Sequence, residues 1–174
     1  MAPQSNSGDA PQVTHARYGF RVAGLQLVPA TLVLTEMVAQ ARVFPVPKSA
    51  AALVGVINLR GTIVPLFDPK VLGQTHTDIR PSQRRAMVFG RENERAGLAL
   101  AADPELLTLV SPSFTPPRPD SPLAEFLVQP WTPQVGDPLD IWWELDHRAA
   151  FEFLARHHHS GSHPEATHAV SDLT

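Results

Sequence analysis

Pro45 to Gly73 reads Pro-Val-Pro-Lys-Ser-Ala-Ala-Ala-Leu-Val-Gly-Val-Ile-Asn-Leu-Arg-Gly-Thr-Ile-Val-Pro-Leu-Phe-Asp-Pro-Lys-Val-Leu-Gly, and the way this stretch divides decides what kind of chain it belongs to. Two β-rich runs, Val54 to Leu59 and Thr62 to Phe67, flank the spacer Arg60-Gly61. A two-residue spacer containing glycine between branched apolar runs predicts a β-hairpin. Valine and isoleucine dominate both runs because branched side chains fit a pleated, half-buried surface. Asn58 and Arg60 are the polar exceptions. A long cation at a hairpin tip projects into solvent, towards a partner, or onto an acceptor elsewhere in the chain.

Immediately outside the hairpin, Val43 to Pro47 is an extended, proline-bounded segment and Lys48 to Leu53 is expected to make one helical turn. On the other side, Asp68-Pro69 fits a helix cap followed by proline at the first helical position. The short turn that follows, Pro69 to Leu72, closes on Gly73. Gln74 to Arg85 is polar and marks a boundary, so two halves are expected to meet near residue 80.

Towards the N-terminus, residues 1 to 16 hold little apolar surface and are expected to be a flexible lead-in. Order is expected from Tyr18, where Tyr18, Phe20 and Val22 alternate with Gly19 and Arg21. Ala23-Gly24 turns the chain into a second strand through Leu25, Leu27 and Pro29. Thr31 to Gln40 serves either a short helix or a buried strand, and its branched residues favour the strand. Glu36 is the one charge in that run; it is either a solvent-facing strand residue or the acceptor for Arg60.

Beyond residue 80, Ala86 to Phe89, Ala96 to Ala101 and Leu106 to Val110 are compact apolar runs. Ser111 to Pro122 contains five prolines and reads as an extended loop. Leu123 to Val128 is a strand candidate, and Gln129 to Pro138, with Trp131, a turn-rich loop. Leu139, Ile141, Trp143 and Leu145 alternate with Asp140, Trp142, Glu144 and Asp146, which predicts a strand with one apolar face and one largely acidic, solvated face. Asp146 can cap a helix over His147 to Arg156, and residues 157 to 174 are a polar, histidine-containing tail expected to be disordered.

Composition narrows the functional classes. Hydrophobic residues make up 43% of the 174, enough for a core, and 18 prolines argue for strands and turns over long helices. Fourteen Lys and Arg stand against 17 Asp and Glu with no basic block, which disfavours nucleic acid. The absence of cysteine removes disulfides, thiol nucleophiles and cysteine metal sites. No signal peptide and no apolar run of membrane-spanning length is seen, so a cytoplasmic protein without membrane insertion is expected. Five of the eight histidines lie in the tail, away from carboxylates at fixed spacing, and His15, His76 and His147 are isolated and expected to face solvent. No nucleophile elbow, phosphate-cradling loop or triad order is present, so no catalytic residue, cofactor or metal site is assigned.

The run Gly-Val-Ile-Asn-Leu-Arg-Gly-Thr-Ile-Val-Pro-Leu-Phe-Asp, Gly55 to Asp68, resembles the signature hairpin of the CheW-like chemotaxis coupling proteins nearly residue for residue. The resemblance covers roughly residues 17 to 155 and weakens after residue 100. It implies a mainly β fold of two interleaved, five-stranded SH3-like barrels with a few short helices, whose C-terminal segment returns to the first barrel. It further implies a non-catalytic adaptor between the cytoplasmic tips of methyl-accepting chemoreceptors and a CheA-type histidine kinase, recruited to receptor arrays. A receptor helix would lie in the groove between barrels, and barrels would pack end to end. On that basis Leu34, Glu36, Gly55, Asn58, Arg60 and Gly61 are the expected partner-binding residues. The sequence departs from the family at Asp103-Pro104-Glu105 and in Trp131, Trp142 and Trp143, as a divergent member serving a surface-motility or type IV pilus-linked pathway, or another partner, would.

Overall fold

The computed structural model describes residues 14–70 and 84–156. Within them the strands are β1 (His15–Val22), β2 (Leu25–Pro29), β3 (Thr35–Ala41), β4 (Val43–Phe44), β5 (Leu53–Leu59), β6 (Thr62–Phe67), β7 (Arg84–Phe89), β8 (Ala96–Leu100), β9 (Glu105–Val110), β10 (Leu127–Pro133) and β11 (Trp142–Leu145). One α-helix, α1 (His147–Arg156), follows. The strands divide into a closed barrel, β1-β2-β11-β10-β9, and a six-stranded sheet, β3-β7-β8-β6-β5-β4. Chain order is thus interleaved. The barrel is begun by the N-terminal strands and completed by the C-terminal ones, with β11 running parallel to β2. The sheet takes everything between, so strands from both sides of residue 80 share it; residue 80 itself lies outside the described residues. The second unit has six strands where five were expected, the sixth being the two-residue β4.

Burial on both faces explains why several strands lack alternation. On β7, Ala86 and Val88 enter the core inside the curled sheet, while Met87 and Phe89 enter a second core shared with the barrel and α1. Leu98 and Ala99 of β8 divide the same way. Strands covered on both sides read as continuous apolar runs. The shared core also takes Phe20, Leu27, Trp143 and Leu145 from the barrel and Leu154 from the helix, so the two units are joined by apolar packing.

Several local expectations are corrected. Strand β1 starts at His15, three residues ahead of Tyr18. Lys48 to Ala52 holds turns, with Lys48 at φ +55°, and Leu53 opens β5, so no helical turn forms. Leu123 to Val128 is not one strand: a 3-10 turn over Ala124–Phe126 precedes β10, and β10 absorbs the segment around Trp131 that reads as a loop. Of the two prolines in β10, Pro130 stands next to a register shift against β11, and Pro133 is opposite Leu109 of β9. Gly73, His76 and the tail histidines lie outside the described residues.

His147 also departs from expectation. Its ring lies half-buried, stacked on Phe89 with centroids 5.7 Å apart. Burial holds its pKa below the ordinary histidine value, Arg148 adds to this and Asp146 opposes it. The unfolded chain therefore binds the proton more readily, and the stability contributed by neutral His147 is complete above about pH 6.5 and lost as pH falls through the folded value. Thermal melts between pH 7.5 and 5 should show the gap between wild type and His147→Gln narrowing as acid is added. A gap that stays constant would refute this account.

Candidate functional site

The β5–β6 hairpin has the turn the sequence predicts. Leu59 pairs with Thr62, and both central residues take positive φ, Arg60 at +51° and Gly61 at +85°. This is the type I′ geometry that matches strand twist. The Asn58 Oδ1 accepts the Gly61 N–H at 2.8 Å and braces the turn from within. Glycine accepts positive φ without penalty, whereas arginine does not. Arg60 is therefore at this position for its side chain.

That side chain reaches Glu36. The Arg60 Nη2 lies 2.7 Å from Glu36 Oε1, with the arginine side chain 77% exposed and the glutamate 28%. In the sheet order, β3 and β5 stand four interstrand spacings apart, about 19 Å on a flat sheet. Contact between them requires the sheet to curl until its β3 edge approaches the hairpin. An ion pair this exposed is worth about 0–1 kcal/mol, comparable to the cost of holding arginine at positive φ. The pair orients two charges at a surface and adds little to stability.

The other expected residues separate by role. Leu34 is half exposed just ahead of β3, and its carbonyl accepts the Gly90 N–H at 3.0 Å. Gly55 is buried five residues back along β5 from Arg60, about 17 Å away in an extended strand. A Cβ there would sit 2.3 Å from the Phe44 carbonyl oxygen. Its place is in strand packing, as Asn58 and Gly61 have theirs in the turn. Leu34, Asn58, Arg60 and Gly61 are exposed and Glu36 is partly so, which leaves Gly55 as the buried member of the expected set.

Sequence reasoning missed the face of β3 opposite Glu36. Glu36 and Val38 turn one way, while Thr35, Met37 and Ala39 turn the other and line a cleft of about 460 Å³. Tyr18 of the barrel, Met87 of β7 and Asp103-Pro104 complete the lining. The cleft thus lies on the seam between barrel and sheet. Tyr18 is 55% exposed and its cross-strand neighbour Leu106 is 66% exposed, so the barrel lip is apolar. Alternation along β3 was the available signal, and the mixed Thr31 to Gln40 run obscured it.

Of the acidic face predicted for residues 139 to 146, Glu144 points inward, Asp140 is partly buried and Asp146 is exposed. Glu144 is 7% exposed inside the barrel. Its Oε2 accepts Arg17 Nη1 at 2.6 Å, Gln129 Nε2 at 3.0 Å and Trp131 Nε1 at 3.3 Å. Burial alone would raise its pKa, but the hydrogen bonds and charge of Arg17, with those of Gln129 and Trp131, hold it below the ordinary carboxylate value. Asp140 accepts from Gln26 and Trp142, and Asp146 caps α1 through the Ala149 N–H. These three carboxylates are structural. Arg118 likewise donates to the Ala124 and Leu127 carbonyls and lies over Trp143, which anchors the proline-rich loop to its own barrel.

A family model described as CheW-like domain matches residues 18–129. The chain belongs to the CheW-like domain family. CheW-like proteins are non-catalytic scaffolds. Among solved structures the chain is similar to scaffolding protein TtCheW from Thermoanaerobacter tengcongensis, with 20% identity, a TM-score of 0.56, and coverage of 76% of this chain and 89% of that one. That likeness confirms the mainly β, CheW-like fold. No curated protein matches the sequence. The family match ends at Gln129, so β11 and its tryptophans lie beyond it although they complete the barrel. Among the described residues there is no group of three or more His, Asp or Glu able to hold a metal ion, and no helix is long and apolar enough to cross a membrane.

Proposed function

We propose that this CheW-like scaffold is a chemosensory adaptor that couples the cytoplasmic tips of methyl-accepting chemoreceptors to a CheA-type histidine kinase, working in the cytoplasm at receptor arrays. The observation that carries the reading is the seam cleft lined by Thr35, Met37 and Ala39 against Tyr18, whose shape and apolar walls suit a helix laid in a groove. The Glu36–Arg60 pair and Leu34 then flank the docking surface and set orientation, the usual work of rim charges. Kinase contact is assigned to barrel packing, for which Ile63 of β6, 61% exposed, and Phe44 of β4, 45% exposed, offer apolar surface.

The test is co-sedimentation of purified protein with a receptor tip fragment and kinase. Met37→Glu, which places a charge in the cleft, should weaken receptor binding by about tenfold to a hundredfold. Arg60→Glu should abolish ternary assembly while melting temperature stays within a few degrees of wild type. Assembly unchanged by both substitutions would overturn the assignment of the site.

A second reading, a divergent module for a surface-motility or type IV pilus-linked pathway or another partner, is favoured by one feature. Asp103, in the stretch that departs from the family, lines the cleft and pairs with Arg85 at 2.7 Å. A pull-down that returns neither receptor nor kinase from the native host would move the assignment there.

A further inference from the structure

We infer that Leu32 is the apolar anchor with which this chain grips the helix in its seam, a residue role that rests on the adaptor reading above. Ala30 to Val33 is a tight turn in which the Val33 N–H donates to the Ala30 carbonyl at 3.2 Å. Leu32, the third residue, has φ +70°, at a position that turns of this form reserve for glycine or asparagine. Its side chain is 97% exposed, so no burial within the fold offsets the strain. Among the described residues four other non-glycine residues take positive φ. Ala23 and Arg60 sit in two-residue hairpins, and Lys48 and Glu92 are charged. Leu32 is the bulky apolar one.

The surrounding structure holds the strain in place. Arg17 donates from Nη1 to the Pro29 carbonyl at 3.3 Å and from Nη2 to Thr31 Oγ1, which fixes the near end of this crossover to the barrel. The Gly90 N–H holds the Leu34 carbonyl and fixes the far end to the sheet. Only Leu32 and Val33 lie between the two attachments. Strain kept by over-determined surroundings points to a use for the displayed side chain.

Position supplies the use. The turn borders a cavity of about 350 Å³ that shares Tyr18 and Thr35 with the 460 Å³ cleft, so the two adjoin at the seam. Leu32 lines the first, and Met37 and Asp103 line the second. Thr35 to Ala39 spans about 14 Å of extended strand, the length of roughly two to three helical turns. The charge of Arg17, which also lines the first, is taken up by Glu144. In the second the Asp103 carboxylate is 67% exposed and shared with Arg85. The fitting occupant is therefore an amphipathic partner helix with an apolar stripe at i, i+3, i+7 that covers Leu32 and Met37, and a basic residue over Asp103.

The experiment measures binding of a helical hairpin fragment carrying a chemoreceptor tip, by fluorescence anisotropy, together with thermal melts of each variant. Leu32→Gly relieves the backbone, so melting temperature should hold or rise while affinity drops about tenfold to a hundredfold. Leu32→Asn, which also tolerates positive φ, should lose as much, and Leu32→Met should keep affinity within a few-fold. Stability and binding moving in opposite directions is a result that a merely structural leucine would not give. If Leu32→Gly binds within twofold of wild type while Met37→Glu loses binding, the anchor is overturned and the adaptor reading stands. If the wild-type protein does not bind the fragment at all, both are overturned.

Discussion

Arg17→Met will lower the melting temperature by roughly 10 °C, because it leaves the Glu144 carboxylate charged and unpaired inside the barrel. Both side chains of this pair are 9% exposed and 2.6 Å apart. Breaking a buried pair from one side costs about 3–5 kcal/mol, since the remaining charge loses its compensation. In a chain of this length each kcal/mol shifts the melting temperature by about 2–4 °C. The guanidinium also covers the Trp131 ring at 4.6 Å and holds the Pro29 carbonyl, so the loss reaches β10 and the crossover as well as β11.

Two further measurements separate the charge from the packing. Without Arg17, the burial that raises the Glu144 pKa is opposed only by Gln129 and Trp131. The carboxyl will then protonate at higher pH, and the deficit relative to wild type should shrink as pH falls towards 4. The double substitution Arg17→Met with Glu144→Leu should recover much of the stability, because apolar replacement of both members removes the desolvation cost together with the attraction. A single variant that melts within 2 °C of wild type would show that the pair does not hold the barrel closed.

The hairpin was legible because its information is local. Spacer length, glycine content and β-branched flanks together determine a turn type, and no distant residue needs to be known. The helix at His147 to Arg156 was legible for the same reason, from Asp146 and an apolar stripe. Glu144 was not. Alternation from residue 139 to 146 separates two faces correctly, but it cannot say what covers each face. Trp143 and Leu145 do enter the shared core, whereas Glu144 turns into the barrel, where Arg17 is 127 positions away in sequence. Closure of a barrel by chain ends is a long-range fact that periodicity does not encode.

The candidate site divides along the same line. The Glu36–Arg60 pairing was one of two alternatives that charge placement allowed, and the curl of the sheet settles it. Met37 and Tyr18 belong to different units, and only the seam brings them to one cleft. Leu32 looked like one more residue of an apolar run, since backbone φ cannot be seen in a leucine codon by codon. Asn58, Gly61 and Gly55 also serve the turn or strand they sit in, work that a reading of the segment as a docking edge does not distinguish.

Gly55→Ala shows the difference, and the expected result is loss of about 2–6 kcal/mol of stability with binding lost only as a consequence. Two penalties add. At φ +152° an L-residue is held in a region open essentially to glycine, at about 1–3 kcal/mol. The new Cβ would also stand 2.3 Å from the Phe44 carbonyl oxygen and 2.8 Å from Val43 Cγ1, and overpacking against backbone costs about 1–3 kcal/mol more. Strand β4 must then move off β5, breaking the Val43–Ile57 and Phe44–Val56 pairing and opening the sheet edge where Val43 enters the core. Gly61→Ala makes the control. Its φ is also positive, but nothing lies within 4 Å of the added Cβ, so only the backbone strain should appear. Urea denaturation should place the Gly55 variant's midpoint well below that of the Gly61 variant. Equal midpoints would mean that β4 yields to the methyl group freely, and that Gly55 serves at the surface of the hairpin after all.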